Sequence, residues 1–299
     1  MQPSHHHSKM IRARETRGAI ILSIATALTL LTAKLVTALL THSMAVMASA
    51  LDSLLDVAAS SVNLIASGKA AKPPDEDHAY GHEKVESLAS LFQSLFIGAS
   101  GLWLIIEAVR RIVMGSYVKD IELGVGVMVF SIVLTLFLTW RLQTVRKQTH
   151  SLILNTESLH YSMDVLSNLG TIVALILVKW THLILWDLVL SVLIAGYVFK
   201  TAYGILRQAV DELLDRSLPP VSKEEIENLI RTHHPMIVGF HNFRSRRVGE
   251  QIFMDFHIEI RGEENFTKAH AMTESLIRHI QEIHAEADIT VHYDPEGAD

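Results

Sequence analysis

Six stretches of this chain are long and apolar enough, or nearly so, to cross a bilayer: residues 18–40, 44–65, 88–109, 123–140, 159–180 and 183–206. A spanning helix needs about 20 mostly apolar residues. Inside lipid every backbone polar group must be satisfied within the protein, which leaves helices and closed barrels. The run lengths therefore predict a bundle of six transmembrane helices. Composition agrees, because 19% charged residues and a mean hydropathy of +0.28 suit a membrane chain better than a soluble one. The N-terminus is polar and basic and leads into an apolar run too long for a signal-peptide core. A net charge of −6 gives no reason to expect a nucleic-acid partner.

The second and fifth runs are the least hydrophobic, and the reason is informative. Asp52 and Asp56 stand four apart in the second; His160 and Asp164 repeat that spacing in the fifth. At about 3.6 residues per turn, positions i and i+4 share a helix face. Two such helices packed together would bring one imidazole and three carboxylates to one place. Ionisable groups at membrane depth are costly and persist when paired, hydrated or liganded. Lys34 is the only basic residue well inside a span, and one lysine cannot neutralise three aspartates. Lys34 either snorkels outward or gates. The pattern points to a buried cation site. With no cysteine in the chain, its ligands must be imidazole and oxygen, a set that suits Zn²⁺ and disfavours Cu(I). Gly98, Gly101, Gly124, Gly126, Gly170 and Gly196 read as packing positions where helices approach closely.

The positive-inside rule orients the bundle. With the N-terminus in the cytoplasm, most flanking Lys and Arg lie inside; Arg110, Arg111, Lys119 and Lys179 lie outside. Arg111 can pair with Glu107, four residues earlier. Six spans return the C-terminus to the cytoplasm.

The chain divides into 1–215 and 216–299. Beyond Pro219 and Pro220 no run is long enough to span. Ser222 and Glu225 form a capping-box pattern opening a helix over 222–232. Strands over 236–246 and 251–261, a helix over 267–284 and a strand over 288–293 follow. This αββαβ order predicts a small two-layer α+β domain. Strand alternation puts Ile252, Met254, Phe256, Ile258 and Ile260 on one face and His257 on the other. The same parity places His241, His257, His292 and Asp294 on one polar face, with Phe243 beside His241 as interface packing. His233, His234, His279 and His284 read as solvated helix-end histidines.

The loop after Pro73 and Pro74 carries Asp75, Glu76, Asp77, His78 and His82. Its His82-Glu83 pair begins like a zinc-protease signature, but the second histidine would have to stand where Glu86 is.

The stretches ALDSLLD (50–56), DHAYGHEK (77–84), LHYSMD (159–164), LLDRSLP (213–219) and VHYDP (291–295) resemble the cation diffusion facilitator family, in its bacterial zinc and ferrous-iron efflux branch. The resemblance spans nearly the whole chain. It implies a homodimer, each copy with six transmembrane helices and a cytoplasmic α+β metallochaperone-like domain, exchanging a divalent metal for protons. It implies a transport site at Asp52, Asp56, His160 and Asp164, and a second metal site at Asp75, His78 and His82. It further implies a third at the dimer interface of the soluble domains, formed by His241, His257, His270, His292 and Asp294, and a charge pair between Lys84 and Asp215. A histidine in the transport set points to zinc, with Fe²⁺ and Cd²⁺ as alternatives. Protons and metal would compete for the same ligands, since imidazole ordinarily titrates near pH ~6.5. The expected function is zinc efflux from the cytoplasm by proton antiport, in the cell membrane (the inner membrane if the cell is Gram-negative). A membrane metal sensor without transport is the alternative, and a metalloenzyme is not expected because four protein ligands leave no open position.

Overall fold

The computed structural model describes residues 3–41, 44–114, 122–181, 185–249, 251–262, 265–285 and 287–297. The chain forms two units, Met1–Val210 and Asp211–Asp299.

The first unit is built from α1 (Pro3–Thr41), α2 (Met44–Ala70), α3 (Lys84–Met114), α4 (Glu122–Thr149), α5 (Leu152–Thr181) and α6 (Leu185–Leu213). Among the described residues, five of these helices are long and apolar enough to cross a membrane. Helix α5 has 30 residues and carries Glu157, His160 and Asp164; part of its apolar C-terminal half lies outside the described side chains. Each helix outruns its apolar stretch, because turns that leave the hydrocarbon keep their hydrogen bonds in water. Leu40, Phe92, Trp103, Val133, Trp140 and Leu193 point outward, whereas Ser23, Ser53, Ser60, Asn63, Ser90 and Ser94 are buried between helices. That inversion suits lipid, where small and polar side chains cement helix pairs and apolar ones face the solvent.

The start of α5 is fixed by side chains. Ser151 Oγ accepts from Leu154 N at 3.3 Å. Glu86, near the start of α3, accepts from Ile153 N at 3.0 Å and from the Ser151 hydroxyl. These bonds satisfy orphan donors of the first turn. Farther along α5, a Cβ on Gly170 would lie 2.4 Å from Ile194 Cδ1 of α6, and one on Gly101 would touch Val198 at 3.5 Å. A Cβ on Gly126 or Gly196 would meet no neighbour among the described residues; Gly124 lies outside the described side chains. Glu107 pairs with Arg110 at 3.6 Å. The side chain of Arg111, its expected partner, and that of Lys179 lie outside those described, as does Lys119 altogether.

The second unit runs α7 (Pro220–His233), β1 (Ile237–Val248), β2 (Gln251–Ile260), α8 (Phe266–Ile283) and β3 (Ala287–Pro295). Strand order is β1-β2-β3, with β1 antiparallel to β2 and β2 parallel to β3. Parallel neighbours need a crossover, and α8 supplies it. Helix α7 starts with Pro219 at the N-cap and Pro220 at the first helical position. Ser222 is thus inside the first turn, and the expected capping box does not open the helix. Asn265 caps α8, accepting from Thr267 N at 2.9 Å. One sheet face carries Ile252, Met254, Phe256, Ile258 and Ile260, which bury against Ile226 and Ile230 of α7 and Leu276 and Ile280 of α8.

One feature of β1 departs from simple alternation. The register shifts between His241 and Arg244, and Asn242 between them has φ +53°. This bulge adds a residue, so Phe243 turns to the core, 5.9 Å from the ring of Phe256, instead of sharing the face of His241.

Candidate metal centres

Helices α2 and α5 meet at the first cluster. His160 Nε2 lies 2.8 Å from Asp56 Oδ1 and 3.9 Å from Asp164 Oδ2. Asp56, His160 and Asp164 each offer a ligand atom within 4.8 Å of the others. Their side chains are 14%, 11% and 37% exposed, so the group is largely withdrawn from the surface yet reachable at Asp164. Asp52 stands one turn before Asp56 on α2; it is exposed and is not part of this group. Three of the four expected ligands therefore converge, and the fourth waits at the edge. Lys34 of α1 does not snorkel. Its ammonium donates to Ser53 Oγ at 2.8 Å and to Ser49 O at 3.3 Å, spanning the turn of α2 that carries Asp52.

Beneath the cluster lies a buried carboxylate that the sequence reading passed over. Glu157 accepts from Ser60 Oγ at 2.6 Å and from Asn63 Nδ2 at 2.8 Å. Asn63 also donates to Gln93 Oε1 of α3 at 2.9 Å, and Ser60 Oγ lies 3.3 Å from the Tyr161 hydroxyl. The Tyr161 ring is edge-on to His160 at 5.3 Å. Glu157 is fully buried and sits three residues before His160, so it shares that side of α5. The signal was available: an acid one turn from a ligand pair.

The α2–α3 connection holds the second cluster. Asp75 Oδ1 lies 3.4 Å from His78 Nδ1, and its Oδ2 lies 3.3 Å from His82 Nε2. The two imidazoles are 4.6 Å apart. Asp75 Oδ1 also accepts from His78 N at 2.8 Å. That backbone hydrogen bond, aided by both imidazoles, holds the Asp75 carboxyl below the usual aspartate range. Gly81, at φ +86°, supplies the left-handed turn that returns His82 to Asp75. His82 Nδ1 is buried without a hydrogen-bond partner. Three N and O donors from three side chains fit a divalent cation.

The third cluster lies on the polar face of the three-stranded sheet of the second unit. His241 pairs with His257, and His257 with His292, across adjacent strands. Their rings are 5.0 and 4.7 Å apart. Asp294 binds all three: Oδ2 is 3.0 Å from His257 Nδ1 and 3.5 Å from His241 Nε2, and Oδ1 is 3.1 Å from His292 Nε2. The hydrogen bond from His257, then the fields of His292 and His241, depress the Asp294 pKa. Glu259 joins the face, its Oε1 3.4 Å from His241 Nδ1. A Cβ on Gly239 would come within 3.1 Å of that carboxylate, so the glycine makes room for it. His270, on the exposed side of α8, stacks on Phe266 at 6.3 Å and is not part of the cluster.

Two further contacts lie outside these clusters. Asp215, at φ +56°, accepts from Arg246 Nη1 at 3.2 Å, a partner the sequence reading did not suggest; Lys84 opens α3 in the other unit. His233 and His279, read as unremarkable, face each other with Nδ1 atoms 3.3 Å apart.

Residues 20–214 match the family of the cation efflux transmembrane domain, and residues 218–296 match the cation efflux protein cytoplasmic domain. The cation-efflux pump FieF of Shewanella oneidensis is 36% identical over 91% of this chain and 92% of its own length. FieF of Yersinia pestis is 33% identical over 95% of this chain and 94% of its own. A solved metal-bound C-terminal domain of the CzcD transporter from Thermotoga maritima is 23% identical, with a TM-score of 0.25, over 27% of this chain and 96% of that one. Both halves of the chain and their order thus match one family from end to end, and the chain belongs to the cation diffusion facilitator family of multi-pass cation efflux transporters.

Proposed function

We propose that this transporter exports zinc from the cytoplasm in exchange for protons, by alternating access around Asp52, Asp56, His160 and Asp164. The observation that carries the reading is the convergence of Asp56, His160 and Asp164 from α2 and α5 within 4.8 Å. An imidazole with carboxylates is a borderline-to-hard donor set that suits Zn²⁺, and it takes Fe²⁺ or Cd²⁺ less selectively. Metal binding requires neutral His160 and ionised aspartates, so each metal bound displaces protons. Asp52, exposed and outside this group, is the ligand that would close on the ion. Where the outer compartment is more acidic, protons release the ion outward and are carried back.

The division at about residue 215 assigns transport to 1–215 and regulation and dimerisation to 216–299. Both termini lie in the cytoplasm in this reading, which places the soluble cluster where it samples cytoplasmic metal. His241, His257, His292 and Asp294, with His270 completing the set between two copies, hold regulatory zinc. Asp75, His78 and His82 form a further cation site in the loop, and Lys84 with Asp215 ties the two parts together.

The test is zinc-driven proton flux in proteoliposomes. His160→Ala and Asp164→Ala should each abolish it while leaving the protein folded and dimeric. Wild-type flux in either variant would sink the transport-site assignment. Zinc, iron, cadmium and manganese in competition would rank the substrates.

A further inference from the structure

We propose that His233 and His279 form a separate zinc-binding site joining α7 to α8 in the soluble unit. Their Nδ1 atoms are 3.3 Å apart and their rings are tilted by 49°. Two nitrogens on one tetrahedral Zn²⁺, each at about 2.0–2.1 Å, are separated by roughly 3.3–3.4 Å. The observed separation therefore fits two ligands on one shared ion.

The pair is held from behind. Ile230, three residues before His233, and Leu276 and Ile280, which flank His279, are fully buried. Arg231 packs over the Phe240 ring at 4.7 Å and braces the last turn of α7 on β1. That core fixes the two helix backbones that carry the imidazoles.

Two imidazoles leave the remaining positions to water, which makes this an open, exchangeable site. It shares no residue with the sheet-face cluster and would tie the two helices that cover the opposite face of the sheet. Its existence does not depend on the transport assignment.

The experiment is zinc stoichiometry at saturation on the full-length protein in detergent. His233→Ala, His279→Ala and the double variant should each lose the same single zinc per chain. His279→Gln, which keeps size and hydrogen-bonding capacity, should lose it too. Thermal midpoints in chelator should match wild type, since the pair is not core. Equal zinc counts in wild type and variants would overturn the proposal and leave a histidine–histidine contact. A double variant losing two ions, where each single loses one, would also overturn it, because the ligands would then serve different sites.

Discussion

At Glu157 a buried carboxyl group is held between helices by donors from α2. Ser60 and Asn63 both point at it. Glu157→Ala should lower the stability of the metal-free protein by about 1–3 kcal/mol for each buried donor left unpaired, read as a drop in thermal midpoint. Glu157→Gln should recover part of this, but its amide nitrogen opposes Asn63, so recovery stays incomplete. Full recovery would show that shape rather than charge is what α2 recognises. The convergence of Asp56, His160 and Asp164 was legible because i,i+4 spacing survives any error in helix ends. Glu157 was not, because the fifth span was expected to begin at 159. The helix starts at Leu152, and the acid falls inside the bundle. At Asp294 the depressed carboxyl pKa fixes a sign. A folded pKa below the ordinary value of about 3.9 adds stability above that value, and the gain is lost as pH falls through the folded value. The stability difference between wild type and Asp294→Asn, in chelator, should shrink as pH drops from 5 towards 3. A difference that grows on acidification would contradict the hydrogen bond from His257.

Among the elements, β1 shows best where sequence periodicity stops informing. The alternation of β2 was readable residue by residue, and its register with β3 places His257 beside His292. In β1 the same parity put Phe243 on the histidine face, because a bulge leaves no mark on a count of two. The mark was Asn242, one of the few residues that tolerate a left-handed backbone. Asn242→Gly should hold or slightly raise the thermal midpoint. Asn242→Val should cost about 1–2 kcal/mol and shift His241 from its place beside Asp294, 3.5 Å away. A valine variant of unchanged stability and zinc affinity would mean that the bulge is not needed to set the histidine. The capping box at Ser222 failed for a related reason: Pro220 is pre-set for the first helical position and starts α7 two residues earlier.

For the whole molecule, the soluble cluster offers a direct test of how metal could govern assembly. Ligands that bind the dimer and not the separated chains shift the dimer equilibrium by mass action. Zinc at a hundredfold excess over its dissociation constant contributes about 2.7 kcal/mol, roughly a hundredfold tightening, for one bridging ion. The strands place His241, His257, His292 and Asp294 on an open sheet face, and His270 lies apart on the exposed side of α8. If His270 of a second copy joins this set, as proposed, metal binding and dimer formation are linked. The dissociation constant of the full-length dimer should therefore fall by about a hundredfold for each bridging ion when zinc is added at that excess. In the His257→Ala/His292→Ala variant it should not respond to zinc, while zinc binding at Asp56, His160 and Asp164 persists. A variant dimer that tightens with zinc as the wild type does would place the metal-responsive contact elsewhere. A wild type that ignores zinc would confine this cluster to a role within one chain.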